Sequence, residues 1–457
     1  MNIASSIFKA YDIRGIVETE LTPNVVKLIG KAVGAESIQN DERGVVVGRD
    51  GRLSGPELSE ALISGLIESG CHVVNIGMVP SPVLYFATHT KAASSGVMIT
   101  GSHNPAEYNG LKIMIAGETL SAERIQALYT RILENDFTNG HGTSTSISID
   151  QDYIGTIKSD IQLEKELKVV IDCGNGVVGN IAPQLFEALG VETSKLFCLV
   201  DGRFPNHHPD PSKPENLKDL IQEVIDTGAD LGLAFDGDGD RLGVIDNTGQ
   251  IIWADRQMML YAKDVLSRNE GAKIIFDVKC TSLLPKVISD NGGEPILSRT
   301  GHSFIKKKLK ETNAELAGEM SGHIFFKERW YGFDDALYTA ARLLEIVSKS
   351  DKSCSEIFNE LPANISTPEI NINFKKHGQQ FEAMDFLSSN IDFPGASINT
   401  IDGFRVDYEN CWGLVRPSNT TPCLVLRFEA NNYKELIKIQ EKFKKWLESS
   451  GISADTL

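Results

Sequence analysis

No stretch of this 457-residue chain reaches the ~18 consecutive apolar residues that a membrane-crossing helix needs, so no membrane span is expected. Met1 to Arg14 hold no apolar core of the kind a secretory leader carries, so no leader is expected either. Basic residues are in deficit. Lys and Arg number 45 against 62 Asp and Glu, a net charge of −17. That argues against a nucleic-acid coat and against an anionic-membrane binder, while a locally basic cleft for an anionic substrate stays open. Cysteine is scattered: Cys71, Cys173, Cys198, Cys280, Cys354, Cys411 and Cys423 lie far apart and form no C-x-x-C. Their odd number and spacing predict reduced thiols in a cytoplasmic protein. A nucleotide P-loop is absent at Gly48-Arg49-Asp50-Gly51-Arg52, because no G-x-x-x-x-G-K-[ST] is there.

What is present reads as globular. Hydrophobic residues make up 41% and charged residues 23%, which disfavours disorder, collagen and coiled coil. At about 150 residues per domain the length allows three domains or four. Three segments share one local pattern, a short apolar run that stops at polar or glycine residues before a helical stretch. They are Val45-Val46-Val47, Val169-Val170-Ile171 and Ile274-Ile275-Phe276. Each reads as a buried strand entering a βα turn, and their separation suits three similar α/β domains with mixed sheets. Ser54 to Glu57 fits a capping box, with Leu58, Ala61, Leu62 and Leu66 at helical spacing and Gly70 as the stop. Residues 138–148 are small and polar and read as a linker. After the two prolines between Leu361 and Pro368 the pattern changes. Phe404, Val406 and Tyr408 alternate with polar residues, Cys423–Phe428 reads as a strand, and Leu436, Ile439, Phe443 and Trp446 form a helix stripe. The end of the chain is therefore predicted to be an antiparallel α+β domain. The limits expected are 1–148, 149–250, 251–362 and 363–457.

The strongest chemical signal is Asp236-Gly237-Asp238-Gly239-Asp240-Arg241 between two apolar strands. Three carboxylates punctuated by glycine can curl around one hard cation, and oxygen-only ligands point to Mg²⁺ rather than zinc. It is not an EF-hand, whose sixth and twelfth positions would be Arg241 and Asn247 here. An acidic surface turn is the bland alternative, though three solvated like charges would repel. Thr100-Gly101-Ser102-His103-Asn104-Pro105 offers an exposed hydroxyl after a strand, without the outer glycines of a hydrolase elbow. His103, adjacent in sequence, is expected to point away from Ser102. A serine with a metal elsewhere suggests phosphoryl transfer through phosphoserine, with Lys112 neutralising phosphate charge. A plain Asn-Pro turn is the alternative. Glu319 and Ser321, between Gly318 and Gly322, could grip two sugar hydroxyls, although a plain loop fits as well. Arg416, Ser418, Asn419, Thr420 and Thr421 suit a phosphate dianion, or an ordinary turn. Gly174-Asn175-Gly176-Val177-Val178-Gly179 is a formal dinucleotide fingerprint, but Asp201 lies in a loop where the fingerprint wants the end of a strand. A tight βα turn explains the glycines better. His207-His208 read as a solvated loop rather than a metal site.

These motifs, in this order and together with Tyr11-Asp12-Ile13-Arg14-Gly15 and Phe276 to Cys280, resemble the α-D-phosphohexomutase family over nearly the whole chain. The resemblance implies four domains around a central cleft and a monomer. It implies a phosphoserine at Ser102, Mg²⁺ on Asp236, Asp238, Asp240 and the serine, and a sugar clamp at Glu319 and Ser321. The phosphate loop would be Arg416 with Ser418 to Thr421. Tyr11, Arg14, Arg241, Lys279 and His323 would add cleft contacts, and Lys112 and His302 acid/base help. The implied reaction moves phosphate between the 1- and 6-positions of glucose or mannose, through a glucose 1,6-bisphosphate type of intermediate. Pro417 stands where relatives usually carry a small residue, which removes one N–H from the phosphate loop. Met320 favours a hexose over a hexosamine. Open alternatives are a phosphoglucosamine mutase, a haloacid-dehalogenase-type phosphatase with Asp236 as nucleophile, and a non-catalytic sensor.

Overall fold

A computed structural model describes residues 3–91, 93–376, 378–419 and 421–457. Four sheets account for its strands. In the first, Gly44–Arg49 lies between the parallel strands His72–Met78 and Ser95–Ile99, and Tyr108–Ile115 runs antiparallel beyond Ser95–Ile99. In the second, Lys168–Asp172 lies between parallel Glu192–Leu196 and Leu231–Phe235, with Leu242–Asp246 antiparallel beyond. In the third, Lys273–Asp277 lies between parallel Glu294–Ser298 and Leu316–Gly318, with Ile324–Phe326 antiparallel beyond. The three share one order and one pattern of direction. The apolar runs at Val45, Val169 and Ile274 are each the central strand, buried on both faces, which is why they read as unbroken β-branched stretches.

This repeated order fixes where chemistry can sit. The turn from the last parallel strand into its antiparallel neighbour is one structural position occurring three times. It holds Ser102 in the first sheet, Asp236 to Asp240 in the second, and Glu319 to Ser321 in the third. A common apolar cluster holds the three units together, running from Val46 and Met98 through Val169 and Leu233 to Ile274, Leu316 and the helix Ala336–Ser348. A close-packed core of this kind transmits little slack, so the three turns keep fixed relative positions.

The fourth sheet is antiparallel throughout, built on Cys411–Pro417 and Cys423–Ala430. Helix Tyr433–Ser449 covers it with Leu436, Ile439, Phe443 and Trp446, the stripe expected from sequence. Each such buried side chain contributes about 1.5–3 kcal/mol of apolar transfer. The fourth unit has its own core and joins the third through a small apolar cluster of Val278, Trp412 and Leu414 and through buried arginines. Arg405 donates to the carbonyls of Val278 and Cys280, and Arg427 pairs with Asp255.

Two local expectations change. Helix Gly55–Ser69 forms and ends at left-handed Gly70, but Ser54 makes no capping bond. Its Oγ instead accepts from the Asn109 side chain at 2.9 Å. The polar stretch 138–148 is more than a linker. Ser144–Ser146 adds a parallel edge to the first sheet, and Gly140 and Gly142 lie so close to the backbone at Gly70 and Cys71 that a Cβ would not fit. Among the described residues no helix is long and apolar enough to cross a membrane.

Candidate active site

Residues from all four units line one cavity of about 820 Å³. Ser102 lines it but is not exposed as expected: it is buried, because His103 and Asp236 close over its hydroxyl. Its backbone sits in the left-handed region at φ 49°, where consecutive side chains no longer alternate in direction. His103 therefore does not point away as expected: its Nδ1 lies 3.0 Å from Ser102 Oγ and 2.6 Å from the Arg241 guanidinium. Burial, followed by the charge of Arg241, holds the His103 pKa well below the ordinary imidazole value, so it is neutral.

The acidic turn comes from a different unit yet touches this serine. Ser102 Oγ donates to Asp236 Oδ2 at 3.1 Å, and Gly237 backs onto the Ser102 carbonyl so closely that a Cβ would meet it at 2.3 Å. Asp236 Oδ1 accepts the backbone N–H groups of Gly239, Asp240 and Arg241. Asp236, Asp238 and Asp240 are fully buried and bring one carboxylate oxygen each within 4.8 Å of the others. Burial, then the charges of Asp240 and Asp238, push the Asp236 pKa well above the carboxylate range. Asp238 Oδ1 and Asp240 Oδ1 are buried without a hydrogen-bond donor. Three crowded carboxylates with two orphaned oxygens fit a hard divalent cation such as Mg²⁺. Lys112 answers part of that charge, donating to Asp238 at 2.6 Å and also to Asp240. Burial opposes its charge, but the two aspartates outweigh burial and hold its pKa well above the usual lysine value.

Across the cavity Glu319 is buried and accepts the Gly301 N–H, and Ser321 Oγ donates to it at 3.3 Å. Burial raises its pKa despite the nearby His323. His323 Nε2 accepts from Arg241 Nε at 3.1 Å, its Nδ1 lies 3.0 Å from Asp334, and its ring stacks on His302. Burial, then Lys306, keep the His302 pKa well below its ordinary value, leaving a neutral imidazole. Tyr11 meets His302 edge-on at 5.5 Å between centroids. Arg14 binds Asp12 and the Asn104 side chain. On the fourth unit, Arg416 Nε donates to Asp402 at 2.9 Å, and Ser418 and Thr421 share a hydroxyl bond at 2.8 Å. Asn419 also lines the cavity, whereas Thr420 lies outside the described residues. Lys279 faces the same space, paired with Glu369 at 2.7 Å. Pro417 pairs in register with Leu424, at the end of its strand.

Two further residues matter that the sequence did not single out. Arg52 is 1% exposed. Its guanidinium donates to the carbonyls of Ser102, Asn104, Pro105 and Tyr108 and lies 3.3 Å from Asp50. Asp50 in turn accepts from the Thr100 hydroxyl and the Gly101 N–H. This pair holds the serine turn in its left-handed shape. A Cβ at Gly101 would lie 2.4 Å from the guanidinium, so glycine is required there. The only sequence hint is an Arg and an Asp beside glycines at a strand end. His207 also departs from expectation. It is half-buried and bonded to buried Asp172 at 2.9 Å, and among the described residues it belongs to no group of three that could hold a metal ion.

A serine braced against an acidic turn that fits a divalent cation, with a buried carboxylate and a guanidinium loop facing it, defines a site suited to phosphoryl groups on a polyhydroxyl compound. Comparison with known proteins narrows the class. Four models of the phosphoglucomutase/phosphomannomutase type match in order: alpha/beta/alpha domain I over residues 5–139, domain II over 151–249, domain III over 253–365, and the C-terminal domain over 369–445. A phosphomannomutase/phosphoglucomutase of Pseudomonas putida is 58% identical over 97% of this chain and 95% of its own. A phosphoglucomutase of Neisseria meningitidis is 53% identical over 98% of each chain. A solved phosphoglucomutase/phosphomannomutase family protein from Burkholderia thailandensis superposes with a TM-score of 0.94 at 49% identity, covering 98% of both chains. The chain belongs to the phosphoglucomutase/phosphomannomutase family of α-D-phosphohexomutases.

Proposed function

We propose that this protein interconverts the 1- and 6-phosphates of glucose and mannose, through phosphorylated Ser102 and a hexose 1,6-bisphosphate. The observation that carries this reading is the 3.1 Å bond from Ser102 Oγ to Asp236 at the base of a cavity that Glu319 and Arg416 face from other units. Asp236, Asp238, Asp240 and the Ser102 oxygen would hold Mg²⁺, which when bound supplies positive charge to a transferring phosphoryl group. The rest falls to side chains. Arg416, with the hydroxyls around it, takes the phosphate already on the sugar, and Glu319 with Ser321 accepts and orients ring hydroxyls. The free 6-hydroxyl attacks phosphorus as the bond to Ser102 Oγ breaks. A neutral imidazole such as His302 can take the hydroxyl proton, while the Lys112 ammonium, held by Asp238 and Asp240, adds positive charge to the acidic turn that the serine touches. The bisphosphate then turns end for end, and Ser102 recovers the phosphoryl group from position 1.

Glucose 1,6-bisphosphate would accordingly prime an unphosphorylated serine. The haloacid-dehalogenase reading needs a free Asp236 nucleophile, whereas Asp236 Oδ1 holds three N–H groups and Oδ2 holds the serine. Met320 favours hexose over hexosamine substrates. All four units of one chain contribute to the cavity, in keeping with a monomer, and seven free thiols suit the cytoplasm. The test is conversion of glucose 1-phosphate to glucose 6-phosphate with a trace of glucose 1,6-bisphosphate. Wild type is expected to turn over and Ser102→Ala to be inactive while folded; full activity in that variant ends the proposal.

A further inference from the structure

One pair of thiols lies outside the chemistry above. Cys173 follows the central strand Lys168–Asp172 of the second sheet, and Cys198 follows its parallel neighbour Glu192–Leu196. Their sulfurs are 3.4 Å apart. Cys173 is fully buried and Cys198 half-buried, so a small oxidant meets Cys198 first. The contact also sorts their reactivity. A hydrogen bond from the Cys173 thiol holds the Cys198 pKa below the ordinary thiol value, and that bond together with burial holds Cys173 well above it.

The loop after Cys173 presses on the acidic turn, and the loop after Cys198 presses on the Gly51–Arg52 segment behind the serine. Beyond Cys173, the Val177 N–H donates to the Gly237 carbonyl at 3.2 Å, and a Cβ at Gly176 would lie 2.9 Å from the same oxygen. Beyond Cys198, Val200 fills the space where Gly51 would carry a Cβ, and Gly202 lies against the Arg52 backbone. A bond between the sulfurs would bring them from 3.4 Å to about 2.05 Å. The metal turn and the arginine brace would both feel that shift.

We propose that Cys173 and Cys198 form a peroxide-oxidisable pair whose disulfide slows turnover; the effect on turnover rests on the mutase reading, the disulfide itself does not. The Cys198 thiolate attacks one peroxide oxygen, an S–O bond forms and the O–O bond breaks, leaving a sulfenic acid and hydroxide, which a proton converts to water. The Cys173 sulfur then attacks the sulfenic sulfur, its proton leaves with the hydroxyl as a second water, and the S–S bond closes. Two thiols lose two electrons in total and one peroxide becomes two waters.

The test treats full-length enzyme with hydrogen peroxide and reads it two ways, by non-reducing peptide mass analysis and by mutase assay. A linked 173–198 peptide lighter by two hydrogens is expected, with turnover reduced on the order of tenfold or more, since a displacement near 1 Å can cost up to about a hundredfold. Dithiothreitol should reverse both. Cys198→Ser and Cys173→Ser should form no link and keep their turnover in peroxide. Oxidation of Cys198 to a sulfinic acid with Cys173 still free to alkylate would overturn the pair. A link with unchanged turnover, or equal loss in both serine variants, would overturn its effect. A reduced enzyme that never turns over would count against the mutase reading alone.

Discussion

Arg52→Lys isolates the brace behind the serine. The arginine fork reaches four backbone carbonyls from two terminal nitrogens, with its Nε beside Asp50. A lysine keeps the positive charge but presents one nitrogen, which cannot span both pairs. At least two buried carbonyls of the serine turn then lose their donor. At about 1–3 kcal/mol for each unsatisfied group, the loss is roughly 3 kcal/mol, a sizeable part of the stability of a typical domain. The consequence for activity follows from position. Arg52 does not line the cavity, so substrate binding keeps its contacts, while Ser102 loses the support for its left-handed backbone. Steady-state assays with glucose 1-phosphate should show kcat falling on the order of a hundredfold with KM within about twofold, and the thermal midpoint should fall as well. A variant with a lowered midpoint and full kcat would refute the positioning role, and so would a raised KM with unchanged kcat.

Two other outcomes follow from the site and its surroundings. Glu319→Gln keeps the size of the side chain but removes the anion proposed to accept sugar hydroxyls, so KM for glucose 1-phosphate should rise about tenfold, a loss near 1.4 kcal/mol; unchanged KM and kcat would remove Glu319 from the site. Asp335 is buried, receives bonds from Tyr153 and Trp330, and burial raises its pKa from 3.8 to about 7. Because the folded value is the higher one, its contribution to stability is complete below pH about 4 and is lost as pH rises through about 7. A shift of roughly three units corresponds to ~4 kcal/mol. Wild type should therefore lose stability relative to Asp335→Asn between pH 4 and 7, and a gap in thermal midpoint that ignores pH would contradict this.

The parts of the site that could be read from sequence are those whose chemistry is local. Asp236 to Asp240 announce a cation because three carboxylates and two glycines stand side by side, and Ser102 is marked by its place after an apolar strand. The three central strands were visible because burial on both faces makes them continuously apolar. Long-range partners were not legible. Arg52 meets the serine turn across 50 positions, and nothing near it in sequence says which carbonyls it will hold. The expected cap at Ser54 gave way to Asn109, a residue brought in by the sheet. His103 was placed wrongly because alternation of neighbouring side chains assumes extended backbone, and Ser102 is left-handed. The repeat of one strand order also lay beyond the reach of pattern. It explains why the serine turn, the acidic turn and the Glu319 turn can converge from three units.

The central claim, that Ser102 carries the phosphoryl group between positions of the sugar, is met most directly by following the label. Enzyme is incubated with Mg²⁺ and radiolabelled glucose 1,6-bisphosphate, then mapped by peptide and chased with unlabelled glucose 1-phosphate. The account predicts label on Ser102 that is stable to isolation and leaves during the chase into hexose phosphate. Label on Asp236, or a Ser102 label that the chase does not remove, would contradict it.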